Sequence, residues 1–392
     1  MGRVRRQIGQ VDRLTRNRNA KARFSSHPKD DLSLLNCAGD WNKSTRKTSS
    51  KQEILLHFPL DRTLHLHQHR PMVNRLATEL FRKSTERATQ MGCQVESVAG
   101  AQILDAGVNA PGSLQAGIIL ARLCMGDLAN IEVLPADCGR LITNNLVHVR
   151  TDQPVMACLG SQYAGWPVSS NDYFAMGSGP MRLIRGREAT LLDLGLTEPE
   201  DWQSENPIVG VLESEKLPTP SAIELIAEQC AVSPDALCLG VAPSTCIAGS
   251  LQVVARSIET AMHKLHELKF DVNNIVSATG HAPLPPPAKP GDTVGGIGRT
   301  NDAVLYGASV TLWANAEDDA IDNVASSVPS SSSEDHGRPF ANIFKDYDYD
   351  FYKVDPLLFS PASVTIHSLK TGRTWSHGKI ETEILRQSFN SQ

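Results

Sequence analysis

The chain has 392 residues, of which 41% are hydrophobic and 5% aromatic, a length and composition that allow either two packed lobes or one large domain. It contains no apolar run of the ~18 residues a membrane span needs and no apolar stretch of a secretory signal, so it reads as a cytoplasmic protein without a membrane partner. Eight cysteines without one Cys-x-x-Cys exclude a zinc knuckle, a thioredoxin-like site and a disulfide framework, and predict buried, reduced thiols.

The formal charge of -5 hides an asymmetry, because residues 1–68 hold fourteen Lys/Arg against six Asp/Glu and the remainder is acidic. Residues 1–70 read as a basic, disordered extension, since the opening "MGRVRRQIGQVDRLTRNRNAKARF" is too polar to offset its ordering entropy. A basic arm can contact nucleic acid, but with no interleaved aromatics and no recognisable module no nucleic-acid partner is expected. Alternatively, translation starts at Met72. The string "HLHQH" would put His65, His67 and His69 on one face of a strand, yet no matching thiol or carboxylate accompanies them and no metal site is expected.

From Pro71 helical and strand signals alternate. Val73, Leu76, Leu80 and Phe81 recur at helical spacing; "AQILDAG" predicts a strand; "GSLQAGIILARLCMG" predicts a helix capped by Ser113 and stopped at Gly126; a strand follows over 129–134. In the second half "IVGVLES", "ALCLGVAP" and "NNIVSAT" read as strands. "TPSAIELIAEQC" reads as a helix with Thr219 as cap and Pro220 at its first position, and "SLQVVARSIETAMHKLHEL" as one long helix. "HAPLPPPAKPGD" reads as an extended loop, "NVASSVPSSSSEDHG" as a solvated connection, and "SVTIHSLKTGRTWSHG" as a hairpin turning at Thr371-Gly372. The class is α/β, in two lobes that each hold a β-sheet with packed helices.

On the long helix, Leu251, Val254, Ile258, Ala261, Met262, Leu265 and Leu268 form an apolar stripe, whereas Gln252, Arg256, Glu259 and His263 gather on a polar face. If that face is wet, Arg256 and Glu259 form an i, i+3 ion pair contributing at most about 0.5 kcal/mol. If it meets a ligand, the same two groups are chemistry. Periodicity does not choose between these.

Two loops add candidates. In "NDYFAMGSGPMRL", Gly177, Ser178 and Gly179 permit unusual dihedrals and could aim amides at an anion or a polar ligand edge, though a GSGP turn is most often only a turn. In "GGIGRTNDAVLYG", glycines loosen the chain ahead of a strand, and Arg299, Thr300, Asn301 and Asp302 form either a ligand loop or a solvated one. "DYDYDFYKVDP" alternates acid and aromatic residues, as a cleft wall or an exposed strand would. No nucleophile elbow, His-Glu-x-x-His site or recognisable triad is present.

Taken together, "DYFAMGSGP", "GRTNDAVLYG", "VVARSIET" and "DYDFYKVDP", with "GSLQAGIILARLCMG" and "LGVAPSTCIAGSLQV", resemble methenyltetrahydromethanopterin cyclohydrolases over about Pro71 to Phe389. The resemblance implies reversible hydrolysis of 5,10-methenyltetrahydromethanopterin to the 5-formyl derivative. In bacteria this step belongs to the oxidation of formaldehyde to formate. It further implies a homotrimer, a pterin held between two lobes, and no metal or redox cofactor. It implies catalytic roles for Glu259, as general base on water, and Arg256, as the group that orients it. Gly177, Ser178, Gly179 and Arg299 to Asp302 become candidate pterin contacts, with Arg299 suited to an acidic cofactor tail. A folate-specific cyclohydrolase and a non-catalytic pterin binder are the alternatives.

Overall fold

The computed structural model describes residues 62–196 and 207–390, apart from the side chains of 62–72 and 352. Two six-stranded sheets organise these residues into the α/β fold that the alternation predicts. The first contains, in spatial order, β1 (Gln94–Val98), β2 (Ala101–Asp105), β8 (Leu237–Ala242), β7 (Ile208–Glu213), β6 (Phe174–Ser178) and β5 (Trp166–Ser169). The second runs β12 (Thr374–Gly378), β11 (Ser363–Ser368), β10 (Ser309–Ala314), β9 (Ile275–Pro283), β4 (Asn145–Thr151) and β3 (Asn130–Pro135).

Burial patterns explain the placement of the strands. β7 and β8 are parallel and almost continuously buried, as central strands covered on both faces must be, whereas β10 and β11 alternate buried and half-buried positions. The predicted C-terminal hairpin forms between β11 and β12, with Gly372 left-handed at the turn (φ 76°). Both predicted caps hold: Ser113 accepts from the Ala116 amide and Thr219 from the Ala222 amide.

Four expectations are corrected. The helix Arg62–Thr85 starts within the expected tail, so "HLHQH" lies on a helix rather than a strand; residues 1–61 lie outside the described residues. The "GGIGRTND" segment is not a loop but part of the helix Thr293–Leu305, started by Asp292, whose carboxylate accepts from the Gly295 amide and so overrides the flexibility of its glycines. The serine-rich connection is internal in part: Val328 and Ser330 are fully buried, and the Ser330 hydroxyl donates to the Leu305 carbonyl. "DYDYDFYKVDP" forms turns, with Asp348 and Tyr349 both left-handed, rather than a strand.

The long helix is a fifth. It is two helices, Ile247–Val254 and Ser257–Glu267, separated at Ala255 and Arg256. The first packs so closely on the helix Leu114–Cys124 that a Cβ at Gly117 would lie 2.8 Å from that of Leu251. The predicted apolar stripe is real, with Leu251, Val254, Ile258, Ala261, Met262 and Leu265 all fully buried. The opposite, polar face is buried too.

Candidate active site

Gln252, Arg256, Glu259 and His263 are 1%, 8%, 5% and 8% exposed, so the wet-face reading fails. Interrupting the helix at Arg256 turns its side chain toward the first sheet, where Nη2 donates to Ser178 Oγ (3.2 Å) at the end of β6 and to Gln252 Oε1 (3.3 Å). Nη1 donates to the Gln162 carbonyl at 2.5 Å, and the Cys124 thiol sits 3.9 Å from Nη2. The sequence thus nominated two separate segments, "ARSIET" and "GSGP", that the fold joins through one guanidinium.

Gln162 ends an unusual element. Val155–Gln162 is a fully buried π-helix, wound by i→i+5 bonds such as that from the Tyr163 amide to the Cys158 carbonyl (2.8 Å). Arg182, fully buried, donates to the carbonyls of Leu159, Gly160 and Ser161 (3.1, 3.3 and 3.3 Å) and pairs with Glu188. Its guanidinium also lies over the Tyr163 ring (5.1 Å), whose other neighbour is the stacked imidazole of His263 at 4.9 Å. Nothing in the sequence marks these residues as a set, since they are spread over positions 155 to 263.

Glu259 lies in the first turn of its helix, and no described residue donates a hydrogen bond to its carboxyl group. No ion pair within 4 Å joins it to Arg256 either, so the expected i, i+3 bridge is not made. Burial pushes this carboxyl up to about 7, and the positive charges of Arg256 and then Arg182 restrain the rise. The Cys158 and Tyr163 side chains, close enough to feel the Glu259 charge, are themselves held protonated by burial. His263 is held below its ordinary value by burial, and its Nε2 faces Glu267 at 3.6 Å rather than Glu259.

A cavity of about 620 Å³ adjoins this cluster. Its wall includes Asp172, Phe174, Glu213, Glu215, Lys216 and Ser244, and it reaches Thr293 and Ile297 of the helix that belongs with the second sheet. Glu213 is the link inward: burial raises its carboxyl, and Arg256, Gln252 and Ser244 oppose that rise. With three carboxylates against one lysine among these groups, the wall suits a cation. A second cavity, of about 300 Å³, lies between the helices Arg62–Thr85 and Leu114–Cys124 and contains none of these residues.

The remaining candidates fall in different settings. Gly177 is packed against Met181, and Gly179, left-handed at φ 95°, donates its amide to the Ser161 carbonyl (2.8 Å), so the GSGP turn fastens β6 to the π-helix. Arg299 donates to the carbonyls of Pro286 and Pro287 (3.2 and 2.9 Å). Thr300 and Asn301 bond back to their own helix, and Asp302, fully buried, accepts from the Phe340 amide at 2.7 Å. It is the preceding turn of that helix, not these four residues, that lines the cavity. Among the described residues no group of three or more His, Cys, Asp or Glu side chains is arranged to hold a metal ion, and no helix is long and apolar enough to cross a membrane.

Residues 72–389 match the family model described as Cyclohydrolase (MCH). The chain is 61% identical over 319 residues to the methenyltetrahydromethanopterin cyclohydrolase of Rhodopirellula baltica, covering 81% of this chain and 95% of that one. It is 41% identical over 320 residues to the enzyme of the same name from Methylobacillus flagellatus, covering 81% and 95%, and 38% over 322 residues to that from Methanothermobacter marburgensis, covering 81% and 98%. A match across four-fifths of the length, with the same name on bacterial and archaeal relatives, leaves one assignment: the chain belongs to the cyclohydrolase (MCH) family of enzymes.

Proposed function

We propose that the protein catalyses the reversible hydrolysis of 5,10-methenyltetrahydromethanopterin to 5-formyltetrahydromethanopterin, with Glu259 as general base and Arg256 as its orienting partner. The observation that carries this reading is the Glu259 carboxyl group: buried, without a hydrogen-bond donor, and raised to about 7, it can both take and return a proton near neutral pH. The methenyl carbon shares its positive charge with two nitrogens and is already electrophilic. It needs a placed water and a base.

The steps balance with one carboxylate. A water oxygen bonds to the methenyl carbon while Glu259 takes one of its protons, giving a neutral carbinolamine. Glu259 then delivers that proton to the departing nitrogen as its C–N bond breaks. The hydroxyl proton leaves as the formyl carbonyl forms, so one proton is released overall. Arg256, fixed by Ser178, Gln252 and the Gln162 carbonyl, supplies a nearby positive charge that favours the ionised base and can steady the oxygen as it loses its proton.

The pterin occupies the acidic cavity, whose excess of carboxylates favours a cationic substrate, and directs its methenyl carbon past Glu213 toward Arg256 and Glu259. The Thr293 and Ile297 turn supplies its contact with the helix of the second sheet, and Arg299 lies one turn further along for the polar tail. We propose in the same reading that neither metal nor redox cofactor takes part and that the working form is a homo-oligomer. The test is to incubate purified protein with the methenyl derivatives of tetrahydromethanopterin and of tetrahydrofolate and follow loss of the methenyl absorbance. Turnover of the methanopterin compound is expected; turnover of the folate compound alone, or binding without turnover, overturns the proposal.

A further inference from the structure

Arg256 donates toward the first sheet through Nη2, whereas its Nη1 donates to the π-helix. Its described contacts are the Gln162 carbonyl, Ser178 Oγ, Gln252 Oε1 and the Cys124 thiol, and none reaches Glu259, three residues along the same chain. The acid on the Nη2 side is Glu213. It closes β7, its register partner on β6 is Met176, and Ser178, which holds Nη2, pairs with Val211 two residues before it. Gln252 lies near both groups: its Oε1 accepts from Arg256, and its side chain is among those that oppose the rise of the Glu213 carboxyl. Arg256 is the strongest charged neighbour of Glu213, as it is of Glu259. One guanidinium therefore acts on two carboxyl groups and bonds to neither.

We propose that Glu213 is a positioning residue: acting with Gln252, it draws the Arg256 guanidinium toward the β7 side of the site and so keeps it from closing onto Glu259. This deepens the function proposed above and rests on it only for the purpose it serves. An arginine closed on Glu259 would tie the carboxylate into an ion pair and make it a poorer base; an arginine held off leaves it exposed to the water it must deprotonate. The groups that face Glu259 are Arg256 and Arg182, with Cys158 and Tyr163 protonated and His263 and Glu267 further along its own helix; those that face Glu213 are Arg256, Glu215 and the Cys124 thiol.

The test reads the Glu259 carboxyl in the full chain without substrate, by carbon NMR of carboxyl-labelled glutamate, its signal identified by its loss in Glu259→Gln. Glu213→Gln should lower the titration midpoint by about one pH unit, a tenfold change in the ionisation constant. A midpoint that stays or rises overturns the proposal. Removing a negative charge could also act directly through space, so the same substitution is made in an Arg256→Met background, where the midpoint should no longer respond; a shift that persists there overturns positioning through Arg256. Gln252→Met, which leaves both charges in place, should move the midpoint in the same direction and keeps the proposal testable if Glu213→Gln fails to fold; an unmoved midpoint overturns it. Because no turnover is measured, an inactive protein would count against the proposed reaction and not against this role for Glu213.

Discussion

Acidifying the assay from about pH 8 to about pH 6 should lower kcat/KM about tenfold, because the base proposed for the reaction, Glu259, can accept a proton only when ionised. Its carboxyl group, near 4.5 when unperturbed, is raised to about 7 by burial against the opposing charges of Arg256 and Arg182. A group that titrates near 7 is ~90% ionised at about pH 8 and ~10% at about pH 6, whereas an ordinary glutamate is more than ~95% ionised at both. The expected profile is a single acid limb, half-maximal near 7. In kcat that limb should lie lower, since bound substrate brings a positive charge that favours the carboxylate, and in Arg256→Ala it should lie higher, since a positive charge has been removed. Initial rates of methenyl absorbance loss at constant ionic strength, corrected for uncatalysed hydrolysis, measure all three. Glu259→Gln should lose roughly 10²–10⁴ in rate and the limb with it. A wild-type limb near 4.5, or the same limb in Glu259→Gln, would refute the assignment.

Three other outcomes concern the frame around the site. Asp302, buried and raised from 3.8 to about 7, contributes stability that is complete below the unfolded value and lost as pH rises through about 7. Asp302→Asn should therefore raise Tm at about pH 8, by an amount on the order of a few kcal/mol in unfolding free energy, with the advantage gone near pH 4. Glu188→Ala leaves Arg182 buried without its ion-pair partner and should cost about 3–5 kcal/mol in denaturant unfolding. Gly249→Ala would drive a Cβ into the Pro243 carbonyl and push back the helix that carries Gln252; about 1–3 kcal/mol of stability should be lost, and kcat/KM with it, both measured on the same preparation.

Local signals explain which parts of this fold could be read in advance. Ser113 and Thr219 announce helices because their hydroxyls bond amides three residues away, and Gly372 announces a turn because its dihedral excludes a side chain. The break at Arg256 carries no such signal, because "VVARSIET" holds neither glycine nor proline, and it coincides with what the guanidinium reaches across the structure. "GGIGRTND" misleads in the opposite sense: its glycines suit a loop, but Gly296 must pass close to Ser244 and Thr245 and Gly298 close to Ala341, so their small size serves helix packing. Arg256 and Glu259 could be nominated from helical spacing, yet their burial could not, because the sheet residues and the π-helix that cover them are distant in sequence. Arg182, Gln162 and Glu213 offered no pattern to read.

The π-helix over Val155–Gln162 has a mechanical consequence. Like any helix, this one leaves the carbonyls at its C-terminal end outside its own ladder; those of Leu159, Gly160 and Ser161 are taken by Arg182 and that of Gln162 by Arg256. The coil therefore couples the two guanidinium groups, and a fluctuation that unwinds the segment takes carbonyl contacts from both at once, leaving Arg182 to Glu188 and Arg256 to Ser178 and Gln252. Both charges that restrain Glu259 are tethered to the same eight residues. A local opening confined to this segment would thus loosen both restraints on the Glu259 carboxyl together, making the coil the fuse of the site rather than part of its wall.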